Sequence, residues 1–391
     1  MTTTVASVAL PRLLRIGPGA ADQLGEVLDS LGLSRPLIVT DAFLTGNGTA
    51  RRITDGLTAH GIHAQVYDGT RPDPTVSSVL DAVAVLTRGD FDCVVGLGGG
   101  SPMDTAKAVA LLGTTGRPMR EYAAPAVTDT PALPLVAIPT TAGSGSECTR
   151  YTIITDDTGT TDEKMLCSGL AFLPTAALVD PLLTVAMPPR LTADTGIDAL
   201  THAIESYVGR RATPFTDGLA LTAMAAIARN LRTAHARPDD LPARAAMMLA
   251  STQAGMAFSN ASVALVHGMS RPVGAHFHVA HGLSNAMLLP AVTAYSLPAA
   301  VTRYADCARA MALGAPGESD EGAAHALLAE LRALNADLAV PSPERYGIDR
   351  DRWLRLTPTM AEQALASGSP AHNPRVPDRA DIERLYRSLV A

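Results

Sequence analysis

Nowhere does the chain run about 18 apolar residues without interruption, the length a membrane-spanning helix needs, so no transmembrane span is expected. Its start, MTTTVASVALPRLL, lacks a charged segment followed by a sustained apolar run, so no signal peptide is expected. Cysteine is scarce and scattered: Cys93, Cys148, Cys167 and Cys307 form no CxxC pair and read as reduced thiols of a cytoplasmic protein. No basic block occurs and the formal net charge is −7, which disfavours nucleic acid as a partner. Internal repeats and low-complexity segments are missing as well. What the chain does have is length and apolar content. With 391 residues, 47% hydrophobic and 18% charged, it reads as globular and exceeds one ordinary domain, so two domains with separate cores are expected.

The first half alternates short strand-like runs with helical stretches. PLIVTD (36–41), HAQVYDG (63–69), FDCVVGLGGGS (91–101), LPLVAIPTTAGSGSE (133–147) and AALVD (176–180) each end in turn residues. Between them, AADQLGEVLDSLG and VSSVLDAVAVLTRG place apolar residues at helical spacing. Such alternation predicts an α/β domain with a parallel sheet. Beyond MPPRLTADTG (187–196) the character changes to long Ala-, Leu- and Met-rich stretches at 197–209, 216–234, 242–257, 297–313 and 321–337. The expected organisation is an α/β domain over 1–188 and an all-α domain over 189–391.

VVGLGGGSPMDTAKAVALLG reads as strand, glycine turn, helix. Gly98, Gly99 and Gly100 let the backbone turn tightly, and the helix behind them offers free N–H groups to a phosphate. The GxGxxG spacing is absent, so a plain strand-to-helix turn would look the same. A second loop, PTTAGSGSE (139–147), follows another buried run and adds the hydroxyls of Thr140, Thr141 and Ser144. In a parallel sheet both loops fall at the carboxyl ends of strands, where α/β folds bind ligands. Asp41, ending the first strand run, could accept hydrogen bonds from a ribose diol and would repel a 2′-phosphate. Together the three features favour a dinucleotide.

ALVHGMSRPVGAHFHVAHG (264–282) holds four of the ten histidines: His267, His276, His278 and His281. Upstream, TADTGIDALTHAIESYVG (192–209) reads as an amphipathic helix with Asp198 and His202 at i and i+4, on one face. A carboxylate and an imidazole so placed can grip a divalent ion, although a packed His–Asp pair has the same spacing. His267 and His281 would complete an Asp/His₃ set suited to iron or zinc. His276 and His278, two apart, would share a face if the backbone there were extended.

The stretches GGGSPMDTAKA, PTTAGSGSE, GIDALTHAIE, GMAFSNASVALVHGM and HGLSNAMLLP occur in this order, and HNPRVPDRADIERLYRSL closes the chain. Together they resemble the iron-containing (group III) alcohol dehydrogenase family over essentially the whole length. The resemblance implies a Rossmann-like dinucleotide-binding domain followed by a helical metal-binding domain, an architecture shared with dehydroquinate synthases. It makes Asp198, His202, His267 and His281 the ligands of Fe²⁺, or of Zn²⁺ as in some relatives. Gly98, Gly99, Gly100 and Ser101 would cover the pyrophosphate of NAD(H), with Asp104 opening the helix behind them. Thr140, Thr141, Ser144 and Lys164 would lie along the cofactor, and Asp41 would favour NAD over NADP. Phe258 and Val263 would line the substrate pocket.

Three positions depart from the family pattern. Where many members carry a second histidine one turn after the first C-terminal ligand, this chain has Arg271. A guanidinium cannot shuttle protons near neutral pH, so His278 is expected to take that role and Arg271 to hold an anionic group of the substrate. Ala280 replaces the usual proline before the last ligand, and Asp73 stands where asparagine is more usual. The expected activity is metal-dependent, NAD(H)-linked interconversion of a short-chain primary alcohol and its aldehyde, in a cytoplasmic homodimer. The alternatives are a dehydroquinate synthase-like sugar-phosphate cyclase or lyase, a hydroxyacid–oxoacid transhydrogenase, and a non-catalytic metal-binding protein.

Overall fold

A parallel sheet organises the N-terminal half of the molecule. The structure, a computed structural model, describes residues 5–159, 163–315 and 317–390. The chain divides into two compact units, one over Ser7–Val185 and a second that begins at Ala186.

In the N-terminal unit the elements run β1 (Leu13–Ile16), α1 (Leu24–Leu31), β2 (Pro36–Val39), α2 (Ala42–Gly46), α3 (Thr49–Ala59), β3 (Gln65–Tyr67), α4 (Val76–Arg88), β4 (Cys93–Gly98), α5 (Gly100–Thr115), β5 (Leu135–Pro139), β6 (Tyr151–Asp156), β7 (Glu163–Ser168) and β8 (Ala176–Val179). Six strands form one sheet in the order β1-β8-β5-β4-β2-β3, every pairing parallel. Strands β2, β4, β5 and β8 are buried at every position. Both faces are covered by helices, so these segments are apolar throughout rather than alternating. Leu37, Val39 and Val94 pack with Val79 and Leu111 on one face, and Ile38, Val95 and Leu97 with Leu28 and Leu57 on the other.

Two features were not anticipated. Edge strand β1 is only four residues long and partly exposed. Strands β6 and β7 form a separate antiparallel hairpin, with Lys164 inside β7. The hairpin is fastened to α5 by Lys107, a fully buried lysine. Its Nζ donates to Thr149 O (3.0 Å), Thr149 Oγ1 (2.9 Å) and Tyr151 O (2.7 Å). Burial disfavours the charged amine and pushes its pKa down to about 8, against the pull of Asp104 and Glu147.

The second unit is helical: α6 (Pro189–Val208), α7 (Pro214–Ala236), α8 (Leu241–Ala261), α9 (Leu265–Phe277), α10 (His281–Ser296), α11 (Val301–Ala310), α12 (Asp320–Asp337), α13 (Pro343–Tyr346), α14 (Arg350–Ala366) and α15 (Arg379–Ser388). The expected amphipathic helix is not one. From Thr192 to Val208 nearly every residue of α6 is buried, because α7, α8 and α10 surround it. Small residues such as Ala193, Gly196, Ala199 and Ala203 let these helices close in, so Asp198, His202 and Glu205 end up inside the unit.

Behind α9 lies Trp353 of α14, buried and stacked on Phe277 with ring centroids 5.3 Å apart. Its Nε1 donates to Tyr386 O of α15 at 2.9 Å, and the Tyr386 hydroxyl donates to Met269 O of α9. All four cysteines are buried and unpaired, three in the N-terminal unit and Cys307 on α11. Burial raises their thiol pKa values, that of Cys167 to about 12. Among the described residues, no helix is long and apolar enough to cross a membrane.

Candidate metal centre

Three helices of the C-terminal unit bring the expected ligand set together. Asp198 and His202 come from α6, His267 from α9, and His281 is the first residue of α10. One ligand atom from each lies within 4.8 Å of all the others. Asp198 Oδ1 stands 3.5 Å from His267 Nε2, 3.8 Å from His281 Nε2 and 3.9 Å from His202 Nε2. These gaps exceed ordinary hydrogen bonds. Two ligands each about 2.1 Å from one ion at a near-tetrahedral angle lie roughly 3.4 Å apart. The Asp198–histidine distances meet that spacing after closing by up to about half an ångström, and the widest pair in the set, within 4.8 Å, would draw in by roughly an ångström or more around an ion.

The electrostatics agree with that fit. Burial works against the charge on Asp198, yet the imidazoles of His202, His281 and His267 outweigh it and hold the carboxyl well below the usual range. His267 lies between two carboxylates, Asp198 on Nε2 and Glu205 on Nδ1, which raise its pKa against the opposing effect of burial. His202 stacks between Phe258 (4.2 Å, 17°) and His267 (4.4 Å, 23°). The side chains of Asp198, His202 and His267 are 4–6% exposed and that of His281 is 43% exposed, so the set opens on the His281 side. An open side is what a catalytic metal site requires and a structural one lacks. His281 reaches the others because Gly282 packs on the backbone of α6; a Cβ there would meet Asp194 O at 2.4 Å.

The remaining residues of the histidine-rich stretch behave otherwise than expected. The backbone is not extended: α9 runs through Pro272 to Phe277, and His278 caps it in the left-handed region (φ 54°). His276 turns to α14, where its Nε2 meets Gln363 Oε1 at 2.8 Å. His278 is exposed and lies outside the ligand cluster, so nothing in its position supports proton transfer. Arg271 shares the helix face of His267 one turn on, is half-buried, and donates through Nη1 to Ser369 Oγ at 3.1 Å. Val263 is half-buried in the α8–α9 connection, after Ser262 at φ 112°.

In the N-terminal unit the two glycine loops adjoin. Gly98 and Pro139 end β4 and β5 in register, and Thr140 N donates to Gly98 O at 3.0 Å. Gly98 takes φ 149°, which only glycine adopts easily. A Cβ on Gly99 would touch Thr141 at 3.3 Å, and one on Gly100 would touch Ser144 at 3.6 Å. Gly99 caps α5, and Ser101 lies in its first turn. From neighbouring strands β2 and β4 the chain leaves in opposite directions, to β3 and to β5. The crevice at their carboxyl ends is a topological switch point, where doubly wound sheets bind ligands. Asp41 is there, half-buried, and its Oδ1 caps α2 by accepting from Leu44 N at 3.0 Å.

Asp104 is a correction. It lies a turn inside α5, and both its oxygens are taken by protein donors, Ser146 Oγ at 2.9 Å and Ile153 N at 3.0 Å. It ties the second loop to β6 instead of facing a pyrophosphate. Lys164 is paired with Asp73 at 2.6 Å.

Sequence reading missed two residues at the ligand set. Glu205, on α6, contacts His267 Nδ1 at 2.7 Å. Asn285, fully buried on α10, donates through Nδ2 to Asp198 Oδ1 at 2.7 Å and lies 3.2 Å from Nε2 of both His267 and His281. Both were findable by spacing: Glu205 follows His202 by three, and Asn285 follows His281 by four.

Known proteins agree with this architecture. The profile described as Iron-containing alcohol dehydrogenase matches residues 11–181, and that of the Fe-containing alcohol dehydrogenase family, C-terminal, matches 192–390. The 1,3-propanediol dehydrogenase of Klebsiella pneumoniae is 37% identical over 381 residues, covering 97% of each chain. A crystal structure of 1,3-propanediol oxidoreductase superposes with a TM-score of 0.94 at 36% identity, over 99% of this chain and 100% of that one. Sulfoacetaldehyde reductase from Bifidobacterium kashiwanohense, solved in complex with NAD⁺, superposes with a TM-score of 0.89 at 26% identity, over 99% of each chain. The chain belongs to the iron-containing alcohol dehydrogenase family.

Proposed function

We propose that this enzyme transfers hydride between NAD(H) and a short-chain primary alcohol or aldehyde at a divalent metal, Fe²⁺ or Zn²⁺, held by Asp198, His202, His267 and His281. The convergence of one carboxylate oxygen and three imidazole nitrogens within 4.8 Å carries the reading. When bound, such a metal acts as a Lewis acid on the substrate oxygen. Phe258, stacked on His202, supplies an apolar wall that keeps water from that flank, and Val263, on the connection after α8, is assigned to the same pocket. Residues 1–188 are assigned to the nucleotide and 189–391 to metal and substrate. Gly98, Gly99, Gly100 and Ser101 would take the pyrophosphate at the N-terminus of α5, with Thr140, Thr141, Ser144 and Lys164 along the cofactor. The solved relative that holds NAD⁺ supports this assignment. The test is NADH oxidation on a panel of short aldehydes by protein stripped of metal and reloaded with Fe²⁺ or Zn²⁺. Metal-dependent consumption is expected, and its absence on every aldehyde would reject the reading. The enzyme is further taken to be a cytoplasmic homodimer, a mass that light scattering would measure.

Asp41 is assigned to the ribose diol. Replacing it with asparagine keeps a good cap on α2 and removes only the charge that repels a 2′-phosphate. Asp41→Asn should narrow the NADH over NADPH preference in kcat/KM by roughly tenfold, the worth of about 1.4 kcal/mol of repulsion. A wild type that already uses both cofactors equally would refute the assignment.

Arg271 extends the reading to aldehydes bearing a carboxylate, phosphonate or sulfonate. The residue is half-buried on the helix face of His267, and a guanidinium suits such a group because it can pair with it bidentately. A relative named for sulfoacetaldehyde supports this choice. Arg271→Ala should lower kcat/KM on sulfoacetaldehyde or phosphonoacetaldehyde by roughly ten- to a hundredfold while leaving an uncharged aldehyde nearly unchanged. Equal losses on both would leave Arg271 a support for the Ser369 turn.

A further inference from the structure

Glu205 sits one turn beyond His202 on α6, buried, and is surrounded by three donors. Its Oε1 accepts from Val266 N at 2.6 Å, and its Oε2 accepts from Ala264 N at 2.9 Å and lies 2.7 Å from His267 Nδ1. Ala264 is the cap residue of α9 and Val266 lies in its first turn, so one carboxylate both begins that helix and grips the ring that follows. A carboxylate can only accept, so the proton of the neutral His267 ring must be on Nδ1. Nε2 is left with its lone pair, and Nε2 is the atom that faces Asp198.

We propose that Glu205 is a positioning residue of the metal centre: it selects the His267 tautomer and ring orientation that present Nε2 for ligation. This rests on the metal reading above. Carboxylates behind metal-bound imidazoles act this way in general, and losing one weakens metal binding by about 10–100-fold. The geometry also makes glutamate hard to replace. Glutamine has one oxygen for donors that approach from two sides. With its oxygen toward Ala264 and His267, the NH₂ collides with the Val266 N–H. Turned over, it satisfies Val266 but donates to Nδ1, which moves the ring proton to Nε2 and blocks the ligand. Aspartate keeps the charge, but it is one methylene too short to reach all three donors.

The experiment uses the full-length protein, stripped and then titrated with Co²⁺ in competition with a chelator. The d–d absorption of the cobalt protein is recorded, and ¹⁵N-histidine spectra of the Zn²⁺ and metal-free forms report the tautomer. Glu205→Gln and Glu205→Asp are compared at a temperature where their circular dichroism matches wild type, and either one suffices if the other does not fold. Expected are a roughly 10–100-fold weaker Co²⁺ affinity, an altered d–d envelope, and a His267 ring no longer held with its proton on Nδ1. A folded variant with wild-type affinity, spectrum and tautomer overturns the proposal and leaves Glu205 a helix cap. A wild type that binds no Co²⁺, or a His267→Ala protein that binds it as well as wild type, overturns the metal reading instead.

Discussion

His267→Ala should lose its metal and lower kcat/KM on the best aldehyde by on the order of a thousandfold or more. That ring is the hub of the site: Nε2 faces Asp198, Nδ1 faces Glu205, and it stacks on His202. Removing it deletes one donor of four and leaves the buried Glu205 without the imidazole it grips. Lewis-acid polarisation is worth several kcal/mol, and each 1.36 kcal/mol is a factor of ten, so a loss near three decades is the floor. Asp198→Ala should match it, because it removes the one anion among the donors. The glycine loops assigned above to the nucleotide lie in the other unit, so on that assignment NADH affinity measured by fluorescence should stay within about threefold of wild type, under 1 kcal/mol. Metal analysis and NADH titration on the same preparation check both halves. A His267→Ala protein with full metal occupancy and turnover would refute the ligand assignment.

Trp353→Ala should be the most damaging change away from the site. The indole is buried between Phe277 and Tyr386 and also satisfies the Tyr386 carbonyl. Emptying a cavity of that size costs about 3–5 kcal/mol, and stranding a buried carbonyl adds about 1 kcal/mol. For a unit of this size that lowers the melting temperature by roughly 10 °C. The transition must be followed by circular dichroism, since the chain has one tryptophan. A shift below about 2 °C would mean that α9, α14 and α15 are not held together through this side chain.

The parts of the fold that could be read from sequence are those where one physical cause acts alone. Strands covered on both faces, such as Pro36–Val39 and Cys93–Gly98, are apolar at almost every position, and glycine turns punctuate them. Asp198 and His202 were readable because helical spacing puts them on one face. Other parts failed where two causes compete. Helix α6 carries a polar face, but that face turns inward toward the ligand set it shares with α9 and α10, so the helix is buried nearly all round. The extended backbone that would have set His276 and His278 on one face is absent, because a proline forfeits only one hydrogen bond and packing on α10 and α14 carries α9 past Pro272. The hairpin β6–β7 was hidden because its anchor, Lys107, lies over forty residues upstream on another element. Spacing alone could not show that His281, across a helix cap, returns to Asp198; that depended on family resemblance and on a glycine whose missing side chain permits close packing.

The distribution of thiols makes the two units separately observable. Cys93, Cys148 and Cys167 are sealed in the sheet unit and Cys307 in the helical one. A buried thiol with a raised pKa reacts with an alkylating reagent only when its surroundings open. Peptide-resolved labelling rates therefore read the opening of each unit from one unmodified sample. A ligand that binds only the closed form slows the labelling of the unit it occupies, by about a hundredfold at a hundred times its dissociation constant. On the assignment proposed above, metal should protect Cys307 and dinucleotide the other three, and protection of the opposite set by either ligand would count against that division.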